Sequence, residues 1–215
     1  MKVGTDGCLL GAWFSTCNSK KILDIGCGTG LISLMAAQRS NAQVTGIEID
    51  ATAAEKAVEN VKNSPWSDRI RIENIDINKY SPCDLFDTIV SNPPYFANSL
   101  KCDNKQRTLA RHTDALTPAQ FFRKSAELLT EDGKISIIIP AETVAGWEAE
   151  ATIKGFSLQR KTAVRTTPKK APKRVLAEFG RRPCTPITDE LIFETSPGTY
   201  SNEATMLLQE FYLKM

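Results

Sequence analysis

The 215-residue chain is predicted to fold as a doubly wound α/β sheet with mostly parallel strands. Two observations carry that expectation. Short apolar runs alternate with longer segments of helical spacing through the first half of the chain. A glycine-rich turn, Gly26-Cys27-Gly28-Thr29-Gly30, also stands between the first such run and the helical segment after it.

Within residues 6–14, Leu9, Leu10, Trp13 and Phe14 recur at helical spacing, with Thr5 or Asp6 as the expected cap. Lys21–Ile25 reads as the first strand, and Leu31, Leu34 and Met35 mark one face of the helix beyond the glycines. Gln43–Glu48 is a second strand, followed by a helix with Ala53, Ala54, Ala57, Val58 and Val61 on one face. Residues 69–73 alternate like a third strand, and Phe86–Ser91 is the fourth. Thr117-Pro118 opens a helix to about Leu129, with proline at its first position. Asp132-Gly133 turns into a buried strand at 134–139, and 141–154 reads as helix. Residues 156–164 and 174–179 are expected to pair as a closing hairpin. Leu207, Leu208 and Phe211 mark a last helix within 203–213. With no internal repeat and no linker, residues 1–215 read as one domain.

Composition narrows the function. The apolar run at 135–139 falls far short of the ~18 residues of a membrane span. No apolar stretch follows Lys2 before Asp6, so the N-terminus does not read as a secretory signal. Six scattered cysteines without a C-x-x-C pair, and a single histidine, argue against zinc and against a disulfide framework. A cytoplasmic protein, acting as a monomer without metal, is the expectation. Net charge is only +2, yet residues 160–182 hold nine basic side chains against one acid, Glu178. A solvated, lysine-rich loop is the plainer explanation. The excess is large enough to favour a polyanionic partner.

The glycine spacing is G-x-G-x-G, with Leu31 where a dinucleotide fingerprint wants glycine, which disfavours a nicotinamide oxidoreductase. Asp24 lies just before the glycines, where an anion-binding turn would not place a carboxylate. Glu48, ending the second strand, is placed to accept from ribose hydroxyls. Asp76, after the third, is placed to accept from an adenine amino group. Acids at successive strand ends fit a ligand with a sulfonium, an ammonium and no phosphates, which is S-adenosylmethionine.

The fourth strand runs into Asn92-Pro93-Pro94-Tyr95. Proline has no N–H, so this stretch offers carbonyl acceptors, and Asn92 can add its side-chain oxygen. Acceptors beside an aromatic face suit a planar group bearing NH₂, such as an adenine edge or a carboxamide. Taken alone, the four residues are equally consistent with a rigid turn.

Together these motifs resemble the class I S-adenosylmethionine-dependent methyltransferases, in the Asn-Pro-Pro-Tyr branch that modifies planar amino groups. Met1-Lys2-Val3-Gly4-Thr5-Asp6-Gly7, Leu10-Gly11-Ala12-Trp13, Arg107 with Ala110-Arg111-His112, and Phe211-Tyr212-Leu213-Lys214 narrow the resemblance further. On these residues the chain is similar, over essentially its whole length, to the bacterial tRNA1(Val) (adenine-N(6))-methyltransferase family. That resemblance implies a Rossmann-like, seven-stranded sheet with its last strand antiparallel. It also implies an adenosine substrate just 3′ of the anticodon. Family members usually carry residues before the stretch at which this chain starts, so a leading strand is expected to precede it in the native protein. By motif position the cofactor residues are Asp24, Gly26, Gly28, Gly30, Glu48, Asp76, Ile77 and Asn92, with Thr5 and Asp6 near its methionine end. Asn92, Pro93, Pro94 and Tyr95 form the catalytic set, and Tyr95 is expected to stack on the base. Arg165, Lys169, Lys170, Lys173 and Arg174 are the expected RNA contacts of the basic stretch, with Arg107, Arg111 and His112 nearer the flipped base. The competing readings are a methyltransferase acting on rRNA or on a protein glutamine amide, and a cofactor-binding module without turnover.

Overall fold

The computed structural model describes residues 4–94, 116–196 and 198–212. Helix α1 (Thr5–Trp13) leads into β1 (Lys21–Ile25), α2 (Leu31–Arg39), β2 (Gln43–Glu48), α3 (Ala51–Lys62) and β3 (Ile70–Asn74). A short 3-10 turn (Ile77–Lys79) precedes β4 (Phe86–Ser91). Next come α4 (Pro118–Leu128), β5 (Leu129–Pro140), α5 (Val144–Ile153), β6 (Ser157–Arg165) and β7 (Arg174–Gly180). The chain closes with β8 (Ile187–Ile192), a ribbon of β9 (Glu194–Ser196) and β10 (Thr199–Tyr200), and α6 (Asn202–Leu208).

The main sheet has eight strands in the order β3-β2-β1-β4-β5-β7-β6-β8. Strands β1 to β5 pair in parallel, and β7 runs antiparallel between β5 and β6. The seven-stranded sheet that the resemblance implies is extended here by β8, which pairs in parallel with β6 at the sheet's edge. Its first four residues are exposed, so no buried apolar face marks it as a strand. The antiparallel strand is β7, and the expected hairpin with β6 forms around the loop 166–173.

Apolar side chains alternate across the strands into two cores. Ile22, Val44, Val90, Ile138 and Leu176 face the side covered by α1, α2 and α6. Leu23, Ile47, Ile89, Ile135, Ile137 and Phe179 face the other, under α4 and α5. There Phe122 meets Phe121, Trp147, Phe156 and Phe179 at ring-centroid distances of 5.2 to 5.9 Å, a cluster that pins α4 to the sheet.

Two local expectations change. Helix α1 is preceded by Gly4, and neither Thr5 nor Asp6 caps it, because both lie inside its first turn. Asp132-Gly133 does not separate β5 from α4; β5 begins at Leu129 and takes a register shift against β4. A Cβ on Gly133 would lie 2.6 Å from Leu129 Cγ, so the shift needs glycine there. By contrast, Thr117 caps α4 with a full capping box to Gln120, as Thr117-Pro118 suggests. No helix among the described residues is long and apolar enough to cross a membrane.

Candidate active site

The parallel strands deliver their C-terminal ends to one edge of the sheet, where the chain leaves β1 toward β2 on one side and β4 toward β5 on the other. Ser91 Oγ donates to the Ile25 carbonyl at 2.7 Å and holds the ends of β1 and β4 together. Asn74 Nδ2 donates to the carbonyls of Glu48 and Ile49 at 2.8 and 3.1 Å, doing the same for β2 and β3. Between them opens a cavity of about 320 Å³, lined by Gly26, Glu48, Asp76, Ile77, Asn92, Pro93 and Pro94, among others.

Gly26, Gly28 and Gly30 all adopt positive φ (70°, 57° and 84°), a region that side-chain-bearing residues rarely enter. The turn's amides point inward rather than toward a ligand. Gly26 N and Cys27 N donate to the Ile47 carbonyl at 2.9 and 3.0 Å, and Gly28 N donates to Glu48 Oε2 at 2.8 Å. With these donors satisfied by the protein, the turn is no phosphate cradle, in keeping with its G-x-G-x-G spacing. Burial, with the charges of Asp24 and Glu48, pushes the Cys27 thiol well above the ordinary range, which disfavours its thiolate.

Glu48 is held by two backbone donors, Gly28 N and Asp50 N, the latter at 2.9 Å to Oε1. Asp76 Oδ1 accepts from Asn78 N at 2.8 Å and caps the 3-10 turn that carries Ile77. Asp24 is fully buried on β1. Its Oδ2 accepts from Ser33 Oγ at 2.7 Å, while Oδ1 is buried without a hydrogen-bond partner. Gly46, Asp24's partner on β2, leaves room for Ser33, whose Oγ would lie 3.0 Å from a Cβ there. A buried carboxylate oxygen without a partner, with Glu48 close enough to act on it, fits a cationic ligand and would oppose an anionic one.

Burial raises the Asp24 carboxyl to about 7, against the pull of the Ser33 hydrogen bonds and with a smaller push from Glu48. The folded protein therefore holds a proton on Asp24 that the unfolded chain releases above the ordinary value of 3.8. Cofactor-free protein is expected to lose stability as pH rises from about 4 to 7, because the unfolded state binds fewer protons there. Asp24→Asn removes that contribution. In pH-dependent urea unfolding, its stability relative to wild type should rise across this window by something on the order of 2–4 kcal/mol. A constant difference would show that Asp24 ionises normally.

Most of the expected site residues meet at this edge, but not all line the cavity. Thr5, Asp6, Asp24, Gly28 and Gly30 lie outside its lining, and Asp24 is fully buried. Asp6 instead accepts from Arg174 Nε at 2.7 Å. Tyr95, Arg107, Arg111 and His112 fall outside the described residues. Sequence reasoning missed Ser33, Ser91, Asn78 and Gln120. Gln120 could have been found, since the capping-box spacing Thr117-x-x-Gln120 fixes where its side chain sits, at the cavity's rim.

The basic stretch 160–182 does not form a single patch. Arg160 stacks over Trp13 at 3.7 Å, Lys161 pairs with Glu148 at 3.0 Å and Arg182 with Asp132 at 2.6 Å. Arg181 donates to the Ala126 carbonyl at 2.9 Å. Lys169, Lys170 and Lys173 are exposed on the loop 166–173, with no ion pair among the described residues. Because β6 runs in the same direction as β5 and β7 runs opposite, this loop lies on the same edge of the sheet as the cavity.

A doubly wound sheet with this glycine turn, these acids and Asn92-Pro93-Pro94 at one edge defines a methyltransferase of the Rossmann-like class. The methyltransferase small domain family model matches residues 4–146. At the level of fold, a predicted O-methyltransferase from Agrobacterium tumefaciens superposes with a TM-score of 0.74, 21% identity, and coverage of 95% of this chain and 96% of its own. A glycopeptide N-methyltransferase solved with S-adenosylmethionine aligns at a TM-score of 0.60 and 14% identity, over 85% and 90% of the two chains. Closer in sequence are tRNA1(Val) (adenine(37)-N6)-methyltransferases. The one from Phocaeicola vulgatus is 49% identical and that from Trichodesmium erythraeum 44%, each over 100% of this chain and 92% of the relative. The chain belongs to the tRNA1(Val) (adenine(37)-N6)-methyltransferase family.

Proposed function

We propose that the protein transfers a methyl group from S-adenosylmethionine to the exocyclic amino nitrogen of adenosine 37, just 3′ of the anticodon of tRNA1(Val), the reaction named for its relatives. The observation that carries this reading is that Asn92, Pro93 and Pro94 line the same cavity as Glu48 and Asp76. Acceptors for an amino group thus face acceptors for a nucleoside.

In this reading Glu48 accepts from the cofactor's ribose hydroxyls, Asp76 from its adenine amino group, and Ile77 packs against the adenine. Gly26, Gly28 and Gly30 allow close approach of the chain, and Asp24 supplies negative charge toward the ammonium. The bound cofactor contributes an electrophilic methyl on a sulfonium. The adenine amino nitrogen is a poor nucleophile because its lone pair is delocalised into the ring. Asn92 Oδ1 and the Pro93 carbonyl would accept its two hydrogens and so favour a pyramidal nitrogen with its lone pair turned toward the methyl; as the N–C bond forms the C–S bond breaks, and the surplus proton passes to water. Tyr95 stacks on the base, which must be extruded from its neighbours at a cost of about a few kcal/mol. Lys169, Lys170 and Lys173 meet the RNA backbone, with Arg107, Arg111 and His112 closer to the flipped base. We take the enzyme as a single-domain, cytoplasmic monomer. Among the described residues, the large exposed apolar side chains, such as Ile49, Leu85, Ile153 and Met206, belong to different parts of the chain.

The test is methyl transfer from labelled cofactor to total tRNA lacking this modification, beside rRNA and a glutamine-bearing protein substrate. Label is expected in tRNA as N6-methyladenosine. Label confined to rRNA or protein would contradict the assignment.

A further inference from the structure

Two arginines bracket the lysine loop, and each is fixed on two sides. Arg165, at the end of β6, donates from Nε and Nη2 to Glu190 Oε2 and Oε1 at 3.1 and 3.0 Å, and from Nη1 to the Lys170 carbonyl at 2.9 Å. Arg174, at the start of β7, donates from Nε to Asp6 Oδ2 at 2.7 Å and from Nη1 to the Lys173 carbonyl at 3.0 Å. Each guanidinium therefore ties a carboxylate on a neighbouring element, β8 or α1, to a carbonyl of the segment that carries Lys169, Lys170 and Lys173. The segment has four further backbone ties: Glu194 N to the Thr166 carbonyl at 2.8 Å, Lys170 N to the Thr167 carbonyl at 3.1 Å, Lys173 N to the Val164 carbonyl at 3.0 Å and Ala141 N to the Lys173 carbonyl at 3.2 Å; at Lys170 the carbonyl is held by Arg165.

We propose that Asp6 and Glu190 are positioning residues for RNA binding, acting through Arg174 and Arg165 to hold the lysine loop in its binding shape. This rests on the reading that the loop contacts tRNA. A guanidinium already paired with a carboxylate offers a phosphate little net charge, whereas its planar fork can hold two partners in fixed geometry. A loop ordered beforehand also spares the ordering cost that binding would otherwise incur.

The proposal predicts an effect opposite in sign to simple electrostatics. Neutralising an acid near a polyanion site should tighten binding if charge alone matters. If the acids hold the loop, the same change weakens it. Equilibrium binding of unmodified tRNA at fixed ionic strength should fall about threefold for Glu190→Gln and for Asp6→Asn, the scale of a partly exposed ion pair. Arg165→Lys, which keeps the charge but loses the fork, should fall similarly. Cofactor affinity of Glu190→Gln should be unchanged, which separates loop positioning from general loss of structure. Should Asp6→Asn fail to fold, Glu190→Gln decides, because its side chain is 53% exposed on an edge strand. A triple variant with Lys169, Lys170 and Lys173 changed to glutamate is measured alongside. If it loses tRNA while Glu190→Gln binds as tightly as wild type or tighter, the positioning role is overturned and the loop contact stands. If the triple variant keeps full affinity, the loop contact fails and the positioning role falls with it.

Discussion

Asn92→Ala is expected to abolish methyl transfer, by at least about 10²-fold in single-turnover rate, while leaving S-adenosylmethionine affinity close to wild type. Removing one preorganised acceptor leaves an amino hydrogen unpaired at the moment the nitrogen must pyramidalise. Cofactor binding is carried mainly elsewhere. Glu48 is fixed by Gly28 N and Asp50 N, and Asp76 by Asn78 N, none of which depends on the Asn92 side chain. Asn92→Asp keeps an acceptor oxygen in nearly the same shape and should retain part of the rate. Calorimetry with the cofactor and rapid-quench methyl transfer separate the two effects. Methylation by Asn92→Ala at the wild-type rate would remove the asparagine from the mechanism.

The triple replacement of Lys169, Lys170 and Lys173 by glutamate has the second large effect. These lysines are exposed and make no ion pair among the described residues, unlike Lys161, Arg165, Arg174 and Arg182 of the same stretch. Each phosphate no longer neutralised by a lysine takes about 0.7 to 0.9 from the log–log slope of affinity against salt, so the triple variant should show a slope shallower by about two. At low salt its tRNA affinity should fall on the order of 10²-fold, with kcat on saturating tRNA much less affected. A salt slope equal to that of wild type would place the RNA on another surface.

Much of the fold is readable from residue order. The strand–helix alternation through residue 91 needs only apolar periodicity, and Gly26, Gly28 and Gly30 mark the turn because three positive-φ positions demand glycine. Strand β8 is not readable in this way, since Thr188, Asp189 and Glu190 show an exposed, largely charged face and the pairing that makes them a strand is supplied by β6. At the site, Glu48, Asp76 and Asn92 can be found because each ends or follows a strand. Their supports, Ser33 under Asp24 and Ser91 across to β1, are contacts between different elements, and serine carries no pattern that announces them. The basic stretch reads as a unit because charge is additive along a sequence. In three dimensions, Arg160, Lys161 and Arg181 fasten the sheet to α1, α5 and α4, Arg182 pairs with Asp132 of β5 at the surface, and the loop lysines are exposed without an ion pair among the described residues.

Placement of a methyl group on one amino nitrogen of one nucleotide is tested most directly by incubating the protein and S-adenosylmethionine with an unmodified tRNA1(Val) transcript, then analysing nuclease fragments and nucleosides by mass spectrometry. One added methyl is expected on the anticodon fragment, recovered as N6-methyladenosine from the position just 3′ of the anticodon. A methyl on a ring carbon or a ribose, or on a fragment outside the anticodon loop, would contradict it.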